Sequence, residues 1–302
     1  MSESLHKIDF AVVISVKNAN PNGDPLLGAR PRITADGFGM ISAECLKRKI
    51  RNRLQDLGAP IFVVSSDRNT DDYATLQERA EAFIPKETIS DPKAYASSAC
   101  SLWTDVRAFG QLFAFPASSK KRGRKGKSAD VEISEESIGP VSVGVRGPVT
   151  IQPAISITPV ELVEMKITKS VNSLAPEANK SRSSDTLGDK FYVPFGVYVT
   201  CGSINPFLAE KTGFSREDAN LIHEAMKTMF ENDESASRPS GSIEVQKVYW
   251  WEHENKNGSQ PSGVVHRSIS IKTHSDYPTS MDDIDFEVKS LPGVNLNEYS
   301  IV

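Results

Sequence analysis

Cysteine is scarce in this chain: Cys45, Cys100 and Cys201 are far apart and odd in number. No CxxC and no Cys/His cluster occurs, so the spacing indicates neither a disulfide framework nor a zinc site. A reducing cytoplasm is the expected compartment. Long apolar runs are missing too. The N-terminal "MSESLHKIDFAVVISV" has no basic leader and no small-residue cleavage site. Its apolar part is of strand length, against roughly 20 residues for a membrane-spanning helix, so no membrane partner is expected. The phosphate-loop signatures GxGxxG and GxxxxGK[ST] are absent, as are GxSxG and HExxH. The five histidines (6, 223, 253, 266, 274) show no ligand spacing. No metal and no cofactor is expected. His223, beside the apolar stripe of its helix, reads as structural. The glycines of "GVRGP" (Gly144–Pro148) lack a strand–loop–helix context and read as a turn.

What is present is an ordinary globular composition over 302 residues, 38% hydrophobic and 25% charged. That suffices for a sizeable core and allows either one core with large insertions or two domains. The net charge of −4 is unevenly spread. From Lys17 to Arg53, eight Lys/Arg stand against three acids, and Lys120–Lys127 holds six bases and no acid. From Glu231 onward twelve acids stand against six bases. A basic front and an acidic rear point to a local polyanion site.

The periodicity predicts a strand over Ile8–Lys17, with Phe10, Val12, Ile14 and Val16 on a buried face and Asp9, Ser15 and Lys17 opposite. Ser42 caps a predicted helix to Leu57, with Ala43, Leu46, Ile50, Leu54 and Leu57 as its apolar stripe and Gly58 as its end. Ile61–Ser65 reads as a second strand. Asp71 and Asp91 read as caps of two further helices, the first with Tyr73, Leu76, Ala80 and Phe83 inward and the second with Tyr95, Ala99, Leu102, Trp103 and Val106. Residues 117–137 read as a mobile charged loop. Val141–Lys169 is β-rich, Thr168–Lys190 follows neither period, and Phe191–Cys201 is a strand. Ser215 and Asp218 resemble a capping box for a helix burying Ala219, Ile222, Met226, Met229 and Phe230. Strands near Val245–Trp251 and Val264–Lys272 precede an acidic tail. Helices interrupting β segments favour an α+β fold, a sheet covered on one face by helices, and a ferredoxin-like split βαβ core accommodates the order.

Two neighbouring features carry the chemistry. "ISVKNANPNGDPLLGARPRI" (Ile14–Ile33) runs from a strand into Asn18, Asn20, Asn22, Gly23 and Gly28, then Arg30 and Arg32. Such a turn presents N–H, amide and guanidinium donors. The helix behind it, "SAECLKRKIRNRLQ", puts Lys47 and Arg51 on one flank of its stripe, Lys49 and Arg53 on the other, and Arg48 outward. Its N-terminus at Ser42 adds free N–H groups and the positive end of a dipole. Loop, helix start and cations together suit a phosphate backbone; the bland alternative is an exposed helix whose long side chains snorkel over the core edge. Asp24, Asp36 and Asp105 are candidate acids, though Asp24 in "NGDP" reads first as an Asx turn. Lys120, Lys121, Arg122, Arg124, Lys125 and Lys127 read as a nonspecific phosphate-binding run, with DNA as the partner that charge alone suggests. Thr168–Lys190, with Lys169, Lys180 and Arg182 and the apolar tips Met165 and Leu174, is too long for a plain loop and reads as a hairpin-like finger.

These residues resemble a known family. "VKNANPNGDPLLGARPR", "ISAECLKRKIRNRLQDLG", "DVRAFG", "VRGPVTIQPAIS" and "TLGDKFYVPFGVYVTCGSINP" occur in order, and the likeness runs from about residue 8 to 240. They resemble the backbone subunit of the type I-C CRISPR Cascade complex, the Cas-seven family of the RAMP superfamily. The resemblance implies a single RAMP-type domain over 1–302: a modified RNA-recognition-motif palm, a helical fingers insertion at 66–115 and a thumb hairpin at 165–190. It implies a non-catalytic subunit that stacks head to tail on CRISPR guide RNA beside other Cascade subunits and leaves the guide open to target DNA. The implied RNA contacts are Asn18, Asn20, Asn22, Arg30, Arg32, Ser42, Lys47, Arg48, Arg51, Lys169, Lys180 and Arg182. The aromatic signature of ordinary RNA-recognition motifs is absent, so phosphate and sugar contacts are expected to dominate. Two alternatives stay open: an RNA-cutting relative of the type III kind using Asp24 or Asp36, and a stand-alone single-strand RNA binder.

Overall fold

The structure, a computed structural model, describes residues 5–119, 137–138, 140–168 and 187–301. The run Lys120–Lys127 lies outside them, as do Lys169, Leu174, Lys180 and Arg182. The helices are α1 (Ala43–Asp56), α2 (Leu76–Phe83), α3 (Pro92–Leu102), α4 (Thr104–Phe109), α5 (Pro206–Thr212), α6 (Arg216–Lys227) and α7 (Ser262–His266). The chain gathers into two compact units. One is built mainly from Leu54–Thr150 and Ile204–Leu221, the other from His6–Arg53, Ile151–Ser203 and Ile222–Val302.

The second unit carries the main sheet. Its strands lie in the order Val294–Ser300, Ile243–His253, Ile8–Ala19, Leu187–Ile204, Ala154–Pro159, Phe38–Ile41. The first strand pairs antiparallel with Ile243–His253, Phe10 opposite Trp250. The expectation of one buried face on that strand is corrected: both faces are buried. Phe10 stacks with Trp250 on one side, while Ala11 and Val13 pack with Val197, Tyr249, Trp251, Val265 and Ile284 on the other. Asp9, expected at the surface, is wholly buried. The Nδ1 of His253 accepts from Ser259 N at 2.9 Å, which leaves its Nε2 to donate to Asp9 at 2.8 Å. The second cover comes from the stretch expected to be an acidic tail. Ile284–Val288 pairs with Ile269–Thr273 as a hairpin over this core, and Val294–Ser300 forms the sheet edge against Ile243–His253. The predicted strand Val264–Lys272 is α7 at its start and becomes extended only at Ile269.

On the opposite face α6 lays His223 flat on the Trp250 indole, ring centroids 4.4 Å apart. Burial, with Lys227 nearby, pushes its imidazole down to about 4. A histidine depressed in the fold but near 6.5 when unfolded binds fewer protons folded than unfolded between those values. Its contribution is therefore complete above pH 6.5 and is lost as pH falls towards 4. Removing this group by His223→Phe should flatten the loss of stability on acidification by about 2 kcal/mol, read from denaturant midpoints at pH 7 and pH 4.5.

Near the other edge, Gly39 donates its N–H to Ser156 Oγ at 2.8 Å. A Cβ on Gly39 would stand 2.3 Å from the Tyr198 hydroxyl. Only glycine lets that ring lie across the strand.

In the first unit the core is aromatic. Phe62 meets Trp103 and Phe113 with ring centroids 4.6 and 5.1 Å apart. Ile61–Ser65 forms no strand. Its amides at Phe62 and Val63 donate instead to the buried Asp105 carboxylate, at 2.7 and 3.2 Å. Helix α2 starts at a Thr75–Glu78 capping box and not at Asp71. Asp71 is taken by Arg79, at 2.8 and 2.9 Å. Asp91 caps α3 as expected, and Ser215 and Asp218 form the expected box at α6. "DVRAFG" meets "VRGPV" at a backbone crossing: a Cβ on Gly147 would lie 2.3 Å from Ala108 O and 2.4 Å from Gly110 N. Both motifs need their glycines for that approach. Ser118–Ser119 pairs with Ser137–Ile138, so the two flanks of the charged stretch lie side by side.

Candidate nucleic-acid interface

The site grows from the end of the first strand. Asn18 takes a left-handed φ of 53° at the surface, a conformation asparagine tolerates better than most residues. Asn20, which is buried, donates from Nδ2 to Ala29 O at 2.7 Å and so closes the base of the loop. Asp24 accepts from Leu26 N at 3.0 Å, the Asx turn expected of it, and its other oxygen holds Arg32 Nη1 at 3.1 Å. Gly28 and Ala29 both have positive φ. The turn thereby projects Leu26 and Leu27 into solvent, 91% and 63% exposed. Asp36 lies exposed in the next turn.

Asn22 joins loop to helix, its Oδ1 accepting from Ser42 N at 2.9 Å. Ser42 Oγ in turn accepts from Cys45 N at 3.2 Å, the predicted cap. Along α1, Leu46, Ile50 and Leu54 are buried, while Leu57 lies beyond the helix and is exposed. The five cations divide unequally. Lys49 is buried against Asp233 at 2.5 Å, and Arg53 Nε donates to Thr228 Oγ1 at 2.8 Å. These two are engaged within the protein. Lys47, Arg48 and Arg51 are half-buried on the remaining surface. Burial, then the charge of Arg51, pulls the Lys47 ammonium below the usual lysine range. A phosphate there would relieve that field.

Arg30 stands elsewhere on the loop: it pairs with Glu164 at 3.2 Å and covers the Phe191 ring at 4.7 Å. Glu164 and Phe191 face each other across a two-stranded ladder, Val163–Thr168 against Leu187–Tyr192. This ladder flanks the stretch where the finger is expected, whose residues 169–186 lie outside the described residues. It carries Met165 and Ile167 nearly half exposed, and Lys166 bridges Glu164 and Asp189. Sequence reasoning missed three groups around the loop: Phe191, Asp233 and Arg238. Each lies far along the chain from its partner, and no local pattern links them.

The α+β chain thus ties a capped basic helix to an asparagine-rich turn. Comparison with known proteins gives the family. The family model "CRISPR-associated protein Cas7" matches residues 6–289, and the chain belongs to that family. A curated relative from Haloferax volcanii, also CRISPR-associated protein Cas7, is 26% identical over 221 residues, 72% of this chain. The chain spans 62% of that relative's length. A chain of a CRISPR RNA-guided surveillance complex aligns over 84% of this chain and 71% of its own, with 14% identity and a TM-score of 0.44. A second, from such a complex before nicking, aligns over 84% and 79%, with 13% identity and a TM-score of 0.46. Among the described residues no helix is long and apolar enough to cross a membrane.

Proposed function

We propose that this chain is a non-catalytic backbone subunit of a CRISPR RNA-guided surveillance complex of the type I-C kind. It holds the sugar–phosphate backbone of the guide RNA, repeats along it with other copies, and leaves the bases free to pair with target DNA. The observation that carries this reading is the Asn22–Ser42 hydrogen bond. It fixes the donor-rich loop to the start of the helix that bears Lys47, Arg48 and Arg51. Contacts of that kind neutralise phosphate without reading sequence, as a subunit that accepts any guide requires.

The ferredoxin-like palm belongs to the same proposal. The strand order Ile243–His253, Ile8–Ala19, Leu187–Ile204, Ala154–Pro159, with α1 after the first strand and α6 before Ile243–His253, supports it. In chain order the fingers segment 66–115 falls within a stretch inserted into the sheet-bearing unit, which supports one domain with an insertion. The ladder Val163–Thr168 with Leu187–Tyr192 supports a thumb over 165–190. A non-catalytic role is supported by Asp24, whose two oxygens are spent on Leu26 N and Arg32.

The test is co-expression with a CRISPR array and partner subunits, then extraction of the nucleic acid. One discrete guide-length RNA carrying several copies of this chain is the expected result. No RNA, or mixed RNA with one copy per molecule, would overturn the reading.

A further inference from the structure

The segment Asn232–Ser242, "NDESASRPSGS", has no part in the family signature set out above, yet it docks on the loop. Lys17 N donates to Ser242 O at 2.8 Å and Asn20 N to Ser237 O at 2.9 Å. From this strap Asp233 reaches α1, one oxygen on Lys49 at 2.5 Å and the other 3.2 Å from Arg238 Nε. One carboxylate thus stands between two cations, and the nearly buried Lys49 takes the closer share. Arg238 is partly buried, and its Nε has no hydrogen-bond partner among the described residues. Because Lys49 lies on α1, its pair with Asp233 sets Asp233, and Arg238 beside it, against that helix. A guanidinium from far down the chain is thereby brought to where loop and helix meet.

We propose that Arg238 is a further phosphate-binding residue, its guanidinium aimed by Asp233 at a backbone phosphate beside the Asn18–Asn20 turn. The proposal rests on the guide-RNA reading above. The physical case is charge balance and geometry. The strap's main-chain hydrogen bonds fix where Arg238 starts, and an ion pair with Asp233 at 3.2 Å, without hydrogen-bond geometry, lies along its Nε edge. The remaining donors form the fork that suits a phosphate. A solvated surface arginine would need neither a nearly buried carboxylate behind it nor a strap bonded to the same turn.

The probe is a fluorescent single-stranded RNA of guide length, titrated with the full chain at several salt concentrations. For single strands, log K falls with log salt by about 0.7 for each phosphate neutralised. Arg238→Gln should make the slope shallower by about that amount per bound copy and weaken binding several-fold. Arg238→Lys should keep the slope, because the charge remains. If Arg238→Gln binds with the wild-type slope and affinity while Lys47→Ala/Arg51→Ala is impaired, the Arg238 proposal is overturned and the guide-RNA reading stands. If the wild-type chain shows no salt-dependent binding to this probe, both fall. Asp233 keeps Lys49 in every variant, so a wild-type melting temperature is expected throughout.

Discussion

The double variant Lys47→Ala/Arg51→Ala, co-expressed with a CRISPR array, should purify folded and nearly free of guide RNA. The expected RNA-to-protein ratio is lower by about tenfold or more, because each copy along the guide loses two phosphate contacts at once. Neither residue belongs to the stripe that holds the helix, which is Leu46, Ile50 and Leu54, nor to the Lys49–Asp233 pair that anchors it. Folded protein with lost RNA is the signature. Retention of RNA at wild-type stoichiometry would place the guide on another surface. A pH series adds a second check. Burial and the neighbouring Arg51 depress Lys47, and a bound phosphate raises it, so binding takes up protons as Lys47 begins to titrate. Affinity should then fall as pH rises through the depressed Lys47 pKa. Lys47→Arg should abolish that fall, since arginine stays charged.

Where the determinants were local, the sequence was a good guide to this fold. Ser42, Asp91 and the Ser215–Asp218 pair cap the predicted helices because a cap needs only residues two or three apart. The Asx turn at Asp24 is local in the same way. The failures that matter most for the site are non-local. Asp71 looks like a cap, but Arg79 claims both its oxygens, and Thr75 starts the helix. Asp9 looks like a surface residue in an alternating strand until a hairpin from the C-terminal stretch covers that face and His253 answers its charge. The basic helix looks like five equivalent cations until Asp233, 184 residues away, removes Lys49 from the set. Within the candidate site the loop, the cap and the Lys47–Arg51 flank could be read from residue spacing. The strap and Arg238 could not, because an ion pair between distant segments leaves no periodicity behind.

Asp105 gives the sharpest separation of a chemical from a structural role. As a candidate acid it would need access to solvent or substrate. Here it is wholly buried and accepts from the backbone amides of Phe62 and Val63, which lie in an extended segment with no strand partner of its own. Those two N–H groups have to be satisfied inside the protein or left unpaired away from water. Asp105→Ala removes both acceptor bonds, each costing about 1–3 kcal/mol when a buried donor is orphaned, so a loss of about 3 kcal/mol is expected. Asp105→Asn keeps one carbonyl oxygen but turns an NH₂ towards the other amide, and a smaller loss of about 2 kcal/mol is expected. The measurement is denaturant unfolding of both variants, with amide exchange followed at Phe62 and Val63. Those two amides should lose protection first, because Phe62 is the ring that Trp103 and Phe113 pack against. Wild-type stability for Asp105→Ala, with unchanged exchange at both positions, would remove the structural assignment. Any effect of that variant on RNA would then have to come from chemistry at the carboxylate itself.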